Sequence, residues 1–232
     1  AAIRRGSPMN AAGDPDTHQA GSGVWRAAAA AGIRALAHAL VAHDPDDRTL
    51  AELAATVEEL RSRVAQAPSR GPRLAAAERL VAGWSTVDHY AFGDVDGPLA
   101  DRPILGATNP FAVEGSSRIE GDEAVTDVLL GPGFEGAPGR AHGGIVAAIF
   151  DDVTGHALRF AEVPAFTGTL TIRYHQPTPL GAALEFRARL DKREGRRLHI
   201  SAVCRSDGEL IASCDAVYVV VDLDRFAQPD RR

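Results

Sequence analysis

Residues 134–161 are the stretch that most constrains the fold of this chain. A loop broken by glycine and proline leads to Gly144, and an uninterrupted apolar segment follows at 145–150. Because apolar residues would cover most sides of this helix rather than one stripe, the pattern indicates a helix buried at the centre of the molecule. Asp151 and Asp152 lie in its middle. Buried carboxylates are costly unless they are paired or used in chemistry, so these two acids are the leading functional candidates.

After this helix the hydrophobic period changes from 3.6 to 2, which predicts β-strands. Four alternating segments follow, and Ser206-Asp207-Gly208 between the last two is a typical hairpin turn. Short connections of this kind make consecutive strands antiparallel. One further strand is predicted before the helix. The five predicted strands span 124–130, 165–176, 183–193, 197–205 and 210–222.

One antiparallel sheet curled around one apolar helix is a specific architecture, because the helix fills the concave face of the sheet. We therefore predict an α+β hotdog fold, in which an antiparallel sheet wraps a long central helix behind an N-terminal helical extension. The stretch 84–120 is interpreted as irregular because its prolines prevent long strand pairing. The predicted order is a disordered N-terminus, the extension, the hotdog domain and a short tail, at 1–23, 24–95, 96–226 and 227–232.

The predicted extension contains amphipathic helices at 25–41 and 49–65, where leucine, isoleucine and valine recur at three- and four-residue steps. A third, short helix is predicted at 74–82. Residues 1–23 are small, polar and glycine-rich without periodicity, which is typical of disorder. Met9 is the only methionine, and one hypothesis is that it is the native start.

Composition excludes several classes of function. The net charge of −6 argues against nucleic acid as the main partner. Cys204 and Cys214 provide neither a disulfide framework nor a metal pattern, so a reduced, cytoplasmic setting is the simplest interpretation. No apolar run approaches the roughly 18 residues of a membrane span. No histidine, cysteine and carboxylate cluster has metal-ligand spacing, and we expect no cofactor.

The chain resembles a known family. The motif Phe-Glu-Gly-x-Pro-Gly-x-x-His-Gly-Gly at 134–144, with an acid nine residues after its histidine, is similar to the acyl-CoA thioesterases of the hotdog fold. The resemblance continues through Thr-Gly-Thr-Leu-Thr-Ile-Arg-Tyr at 167–174 and Glu-Gly-Arg-Arg at 194–197. It is strongest to the group of thioesterase superfamily members 4 and 5 and their bacterial phenylacetate-pathway relatives. It covers residues 105–222.

This resemblance implies a hydrolase that splits acyl-CoA into free acid and CoA in fatty acid metabolism. It implies a homodimer with two shared active sites, and a homotetramer is an alternative. It also implies that Thr167 orients water or substrate, although threonine is an ordinary strand residue too. Gly136 stands where some relatives carry Asn or Gln, which favours a medium- or long-chain fatty-acyl substrate over an aryl-acyl one.

Gly143 and Gly144 are predicted to polarise the thioester carbonyl. Glycines at a helix start let backbone N–H groups approach a ligand closely, and the helix dipole favours negative charge there. Such an oxyanion site accelerates thioester hydrolysis, with one donor contributing about 10²–10³ in rate. The alternative is a glycine-rich cap that only begins a buried helix.

Asp151 is predicted to be the general base or nucleophile, and Asp152 a structural acid. His156 lies one turn after Asp152 and is a candidate partner for it. The neighbours of Asp151 one turn away are all small, which leaves room for a substrate: Ala147, Ala148, Thr154 and Gly155.

The distance between the two predicted half-sites requires a second subunit. Gly143 and Asp151 are eight residues apart, about 12 Å along a helix. Both groups must lie within about 3 Å of the reacting carbonyl or its attacking water. One helix cannot supply both, whereas two antiparallel helices in a two-fold dimer can. The spacing therefore predicts active sites shared across a homodimer.

Four further residues are candidates for substrate binding. His142 is predicted to cap the helix or to contact the thioester region. Glu135 contacts substrate or solvates its loop. Arg196 and Arg197 fit contacts with CoA phosphates, and the alternative for both is a solvated hairpin arginine.

Two other functions stay open at this point. One is a non-catalytic hotdog module that binds acyl-CoA for regulation. The other is a thioesterase that acts on acyl-carrier protein in a polyketide or fatty-acid pathway. A hotdog dehydratase is disfavoured because the usual hydratase-type histidine motifs are missing from the sequence.

Overall fold

The structure is a computed structural model that describes residues 22–69, 95 and 100–222. Its helices are α1 (Ser22–Ala42), α2 (Asp47–Ala65) and α3 (Gly143–Ala157), with 3₁₀ turns at Pro132–Phe134 and Leu158–Ala161. Its strands are β1 (Glu114–Glu120), β2 (Glu123–Leu129), β3 (Ala165–Tyr174), β4 (Ala183–Glu194), β5 (Arg197–Ser206) and β6 (Glu209–Val220).

The strands form one antiparallel sheet in the order β1-β2-β4-β5-β6-β3. Helix α3 packs on its concave face, where Phe150 meets Phe186 of β4 edge to face at 5.0 Å between ring centres. Burying one such side chain contributes roughly 1.5–3 kcal/mol. The alternating residues of β5 and β6 complete this core, which explains their period of 2. The predicted α+β hotdog fold is confirmed.

The interpretation of 84–120 as irregular was wrong for its last seven residues, Glu114–Glu120. The structure places a sixth strand, β1, beside β2, from Glu114 opposite Leu129 to Glu120 opposite Glu123. No residue of β1 is fully buried, and its sequence Glu-Gly-Ser-Ser-Arg-Ile-Glu has a single large apolar side chain. An edge strand of this kind is held by backbone pairing with its neighbour, so it has no hydrophobic period to detect.

Helix α3 is also less buried than the sequence indicated. Its fully buried residues form one stripe: Val146, Ile149, Phe150, Val153, Thr154 and Ala157. Ile145, Ala147 and Ala148 on the remaining surface are half-buried, and Asp151 is exposed. The reason is geometric, because within one chain the sheet wraps only one side of the helix.

The two predicted helices of the N-terminal extension are confirmed as α1 and α2. Asp46 caps α2 by accepting the Thr49 N–H at 2.7 Å. None of the helices in the described ranges is long and apolar enough to cross a membrane. The predicted helix at 74–82, Met9, the tail at 227–232 and almost all of the segment 1–23 lie outside the described residues. The predicted domain boundaries remain predictions.

Candidate active site

Asp151 and Thr167 form a hydrogen-bonded pair. The Thr167 hydroxyl donates to Asp151 Oδ1 at 2.7 Å, across sixteen residues of sequence. A β-bulge between Thr167 and Thr169 breaks the simple alternation of β3 and sets Thr167 opposite Tyr218, on the face that α3 covers. Strand β3 is the last in the order of the described sheet, and both residues of the pair are exposed. The structure thus brings together two predicted site residues.

Tyr218 of β6 hydrogen-bonds to the same turn of α3 from the sheet. Its hydroxyl donates to the Asp151 backbone carbonyl at 3.0 Å and lies 2.9 Å from the Thr154 hydroxyl. Burial raises the pKa of Tyr218 to about 12, so the phenol stays neutral at ordinary pH. Tyr218 was not among the site residues predicted from the sequence. The available signal was its place on the inward-facing side of β6 as a residue that needs a polar partner.

Asp152 has a different environment from Asp151. Its Oδ1 lies 3.3 Å from Arg102 Nη1, and the two side chains are only 16% and 21% exposed. Burial raises the pKa of Asp152, and the Arg102 charge opposes that shift. The suggested pairing with His156 does not form, because Arg102 takes that place from fifty residues earlier in the chain. Within the described residues, His156 Nε2 has no hydrogen-bond partner.

The unpaired Nε2 atom of the buried His156 ring predicts a loss of stability in mild acid. Burial lowers the pKa of His156 from 6.5 to about 3. The unfolded ring therefore binds a proton below pH 6.5 while the folded ring stays neutral, so the free energy of unfolding decreases as pH falls from 6.5 towards 3. Between pH 7.5 and pH 5 we expect a loss of roughly 2 kcal/mol from this residue, measured by urea unfolding.

The His156→Gln variant should lose about that much less stability over the same pH interval. His43→Gln is the matched control, because His43 lies exposed just after α1, and it should behave like the wild type. An equal loss of unfolding free energy in wild type and His156→Gln would contradict the lowered pKa of His156 as its cause.

The start of α3 distinguishes the two glycines of the motif. His142 is the N-cap, and its Nδ1 accepts the Gly144 N–H at 3.0 Å. The N–H groups of Ile145 and Val146 both donate to the His142 carbonyl. The Gly143 N–H has no hydrogen-bond partner among the described residues. His142 thus takes the helix-capping role that the sequence suggested, and Gly143 provides the unengaged amide.

A cavity of about 560 Å³ lies in front of this helix start. Its walls are the loop 135–143 and the segment 174–178 that ends β3. The loop is closed on itself, because the Glu135 carboxylate accepts the Gly139 N–H at 2.6 Å. Glu135, His142 and Gly143 therefore share one pocket, whereas Asp151 and Thr167 do not line it. The structure separates the two predicted half-sites, as their spacing along the helix requires.

Arg196 and Arg197 lie elsewhere. The Arg196 guanidinium donates to the Val220 carbonyl at 2.9 and 3.2 Å. Arg197 is in register with Val219, which pairs in turn with Phe166. Both arginines therefore lie at the end of the sheet that carries Thr167, and neither lines the cavity at Gly143.

The described residues offer neither a reactive thiol nor a group of metal ligands. Burial raises the pKa of the Cys204 and Cys214 thiols to about 12, so neither is a nucleophile at neutral pH. Within the described ranges, no three histidine, cysteine or carboxylate side chains are grouped to hold a metal ion.

Residues 138–212 match the family model of the Thioesterase superfamily. Acyl-coenzyme A thioesterase THEM4 of Xenopus laevis is 32% identical over 93 residues, which are 40% of this chain and 42% of that protein. THEM4 of Mus musculus is 35% identical over 91 residues, 39% of each chain. The chain thus matches less than half the length of these curated relatives.

A crystal structure described as a thioesterase superfamily protein is similar over 84% of this chain and 94% of its own. The TM-score is 0.69 and the sequence identity 25%. The aligned part of this chain is therefore longer than the segment from β1 to β6. These matches confirm the resemblance to hotdog-fold thioesterases that the motif at 134–144 predicted.

Proposed function

We propose that this chain, with its hotdog domain similar to the Thioesterase superfamily, is a thiolester hydrolase that splits acyl-CoA into free acid and CoA. The observation that carries the proposal is the pair of half-sites on α3. Asp151 is bonded to Thr167 on the open side of the helix, and the Gly143 amide is unengaged at its start. The relatives that share this region are named acyl-coenzyme A thioesterases.

A homodimer completes the site in this proposal. Gly143 of one subunit would lie beside Asp151 of the partner subunit, because one helix separates these residues by about 12 Å. One feature of the single chain supports a second copy: the apolar residues Ile145, Ala147 and Ala148 on the open side of α3 are only half-buried. A homotetramer of two such dimers is the alternative.

The chemistry follows from the two half-sites. The Asp151 carboxylate removes a proton from water, whose oxygen attacks the thioester carbon. The Gly143 N–H donates to the carbonyl oxygen as it becomes negative. When the tetrahedral intermediate collapses, the C–S bond breaks and the sulfur receives the proton held by Asp151. The Thr167 hydroxyl occupies Oδ1, which leaves Oδ2 to bind the water in one orientation. Direct attack by Asp151 as a nucleophile is the alternative route.

Other proposed features follow from the residues around these half-sites. Gly136 in the loop favours a medium- or long-chain fatty-acyl group. Glu135 and His142 line the cavity and contact the substrate, and Arg196 and Arg197 contact the CoA phosphates. A cytoplasmic, reducing location agrees with two free, buried cysteines.

A thiol-release assay tests the function. It uses acyl-CoA of several chain lengths and the same acyl groups on a carrier protein. We expect turnover of acyl-CoA with a maximum among medium or long chains. Faster turnover of the carrier-bound acyl groups would favour the carrier-directed thioesterase instead. Binding of acyl-CoA without thiol release would establish the non-catalytic module and overturn the proposal.

The Thr167 hydroxyl gives a specific kinetic prediction. Thr167→Val removes a hydrogen bond to a charged carboxylate, so we expect kcat to fall about ten- to a hundredfold. Thr167→Ser keeps the donor and should retain most activity. Thr169→Val is the matched control, because Thr169 lies opposite Val217 on the other face of the sheet. Wild-type kcat in Thr167→Val would refute the role of this hydroxyl.

A further inference from the structure

Helix α1 contacts the loop that leads into the cavity. His38 Nδ1 accepts the Gly133 N–H at 2.9 Å, across 95 residues of sequence. The His38 ring also meets Phe134 edge to face, with 5.0 Å between ring centres. One turn earlier in the helix, Arg34 donates to the Asn109 carbonyl at 2.7 Å. The contact is therefore specific and polar, unlike the general apolar packing of an amphipathic helix.

The glycines of this loop match the His38 ring. A Cβ atom at Gly131 or Gly133 would lie 2.9 or 2.8 Å from His38 Nδ1, closer than real Cβ contacts. Gly131 has an ordinary backbone conformation, with φ −82°, so backbone strain does not require glycine there. Space for the imidazole ring does.

The contact continues directly to the cavity wall. The Phe134 carbonyl, next to the Gly133 amide that His38 binds, accepts the His142 N–H at 2.8 Å. Glu135 and Ala141 form a β-bridge that closes the loop between them. Thus His38 binds one end of the loop 133–142, at Gly133. The other end is His142, the N-cap residue that precedes the Gly143 amide.

We propose that His38 is a positioning residue for the substrate cavity, and that α1 belongs to the catalytic unit because it holds the loop 133–142 in place. This inference rests on the proposed thioesterase function. His38 does not line the cavity, so it acts through Gly133 and Phe134. It assigns a role to part of the N-terminal extension, which the activity of the hotdog domain alone leaves unexplained.

Three variants of the full chain test this role. His38→Leu removes the acceptor and the ring, His38→Asn keeps an acceptor near the position of Nδ1, and His43→Leu is the matched control. His43 follows the same helix, and among the described residues its ring hydrogen-bonds only to the nearby Ala39 carbonyl. Steady-state kinetics with acyl-CoA are combined with hydrogen exchange of the amides of 133–142 and of β5.

For His38→Leu we expect kcat/KM to fall about three- to tenfold, the effect of one lost hydrogen bond, mainly through a higher KM. Exchange should become faster at 133–142 and stay unchanged in β5. His38→Asn should restore most of both, and His43→Leu should behave like wild type.

Unchanged exchange at 133–142 in His38→Leu would overturn the inference, as would unchanged kcat/KM despite faster exchange. Equal acceleration in β5 would also overturn it, because that result indicates general destabilisation. If the wild type hydrolyses no acyl-CoA, the proposed function fails by itself. The exchange data then still decide whether His38 holds the loop.

Discussion

Replacing Asp151 with asparagine is expected to lower kcat by roughly 10²- to 10⁴-fold and to leave the fold intact. The amide has the shape of the carboxylate and still accepts the Thr167 hydroxyl through its Oδ1, so the local geometry persists. It has no basicity, however, and cannot take the proton of the attacking water. Because Asp151 is exposed, we expect little change in the free energy of unfolding.

Thiol release measured at saturating acyl-CoA, together with thermal unfolding, checks this prediction. Asp215→Asn on the exposed side of β6 is the matched control, and it should keep wild-type turnover. Near-normal kcat in Asp151→Asn would show that another group activates water.

Gly143→Pro is expected to lower kcat by about 10²- to 10³-fold, because proline lacks the N–H proposed to stabilise the oxyanion. The substitution fits the backbone. Gly143 is the first residue of α3, where proline is well tolerated. His142 has φ −66° and ψ 127°, in the region that a residue before proline prefers.

Gly143→Ala is the matched control for this substitution. It introduces the same Cβ, 3.3 Å from the Tyr174 hydroxyl, but keeps the N–H. A loss of kcat in Gly143→Pro alone therefore measures the amide. An equal loss in both variants would instead assign the effect to crowding against Tyr174.

Mixing the two inactive variants tests the shared site. In a heterodimer of Asp151→Asn and Gly143→Pro subunits, one site carries both substitutions and the other carries neither. Statistical mixing should then restore about a quarter of the wild-type sites, since half the dimers are mixed and each has one intact site. A site contained in one chain would give no recovery.

The periodicity and spacing of the sequence by themselves determined most of the helices and strands of this protein. The apolar run before Asp151 predicted α3, and the change to a period of 2 predicted β3 to β6. These signals are local. Each helix or strand must place its apolar residues on the side that faces the core, so they recur every 3.6 residues in a helix and every 2 residues in a strand. The small neighbours of Asp151 favoured it over Asp152 as the catalytic base, and its distance from Gly143 favoured two separate half-sites; both remain predictions.

Tertiary structure decided which groups meet. Strand β1 exists because β2 offers it a backbone partner, although its sequence has no buried face. A bulge in β3 turns Thr167 towards α3, against the simple alternation. Arg102 pairs with Asp152 across 50 residues, and His38 binds Gly133 across 95. A hydrogen bond forms only where the donor and acceptor atoms of distant residues approach within about 3 Å, and no repeat in the sequence encodes that approach.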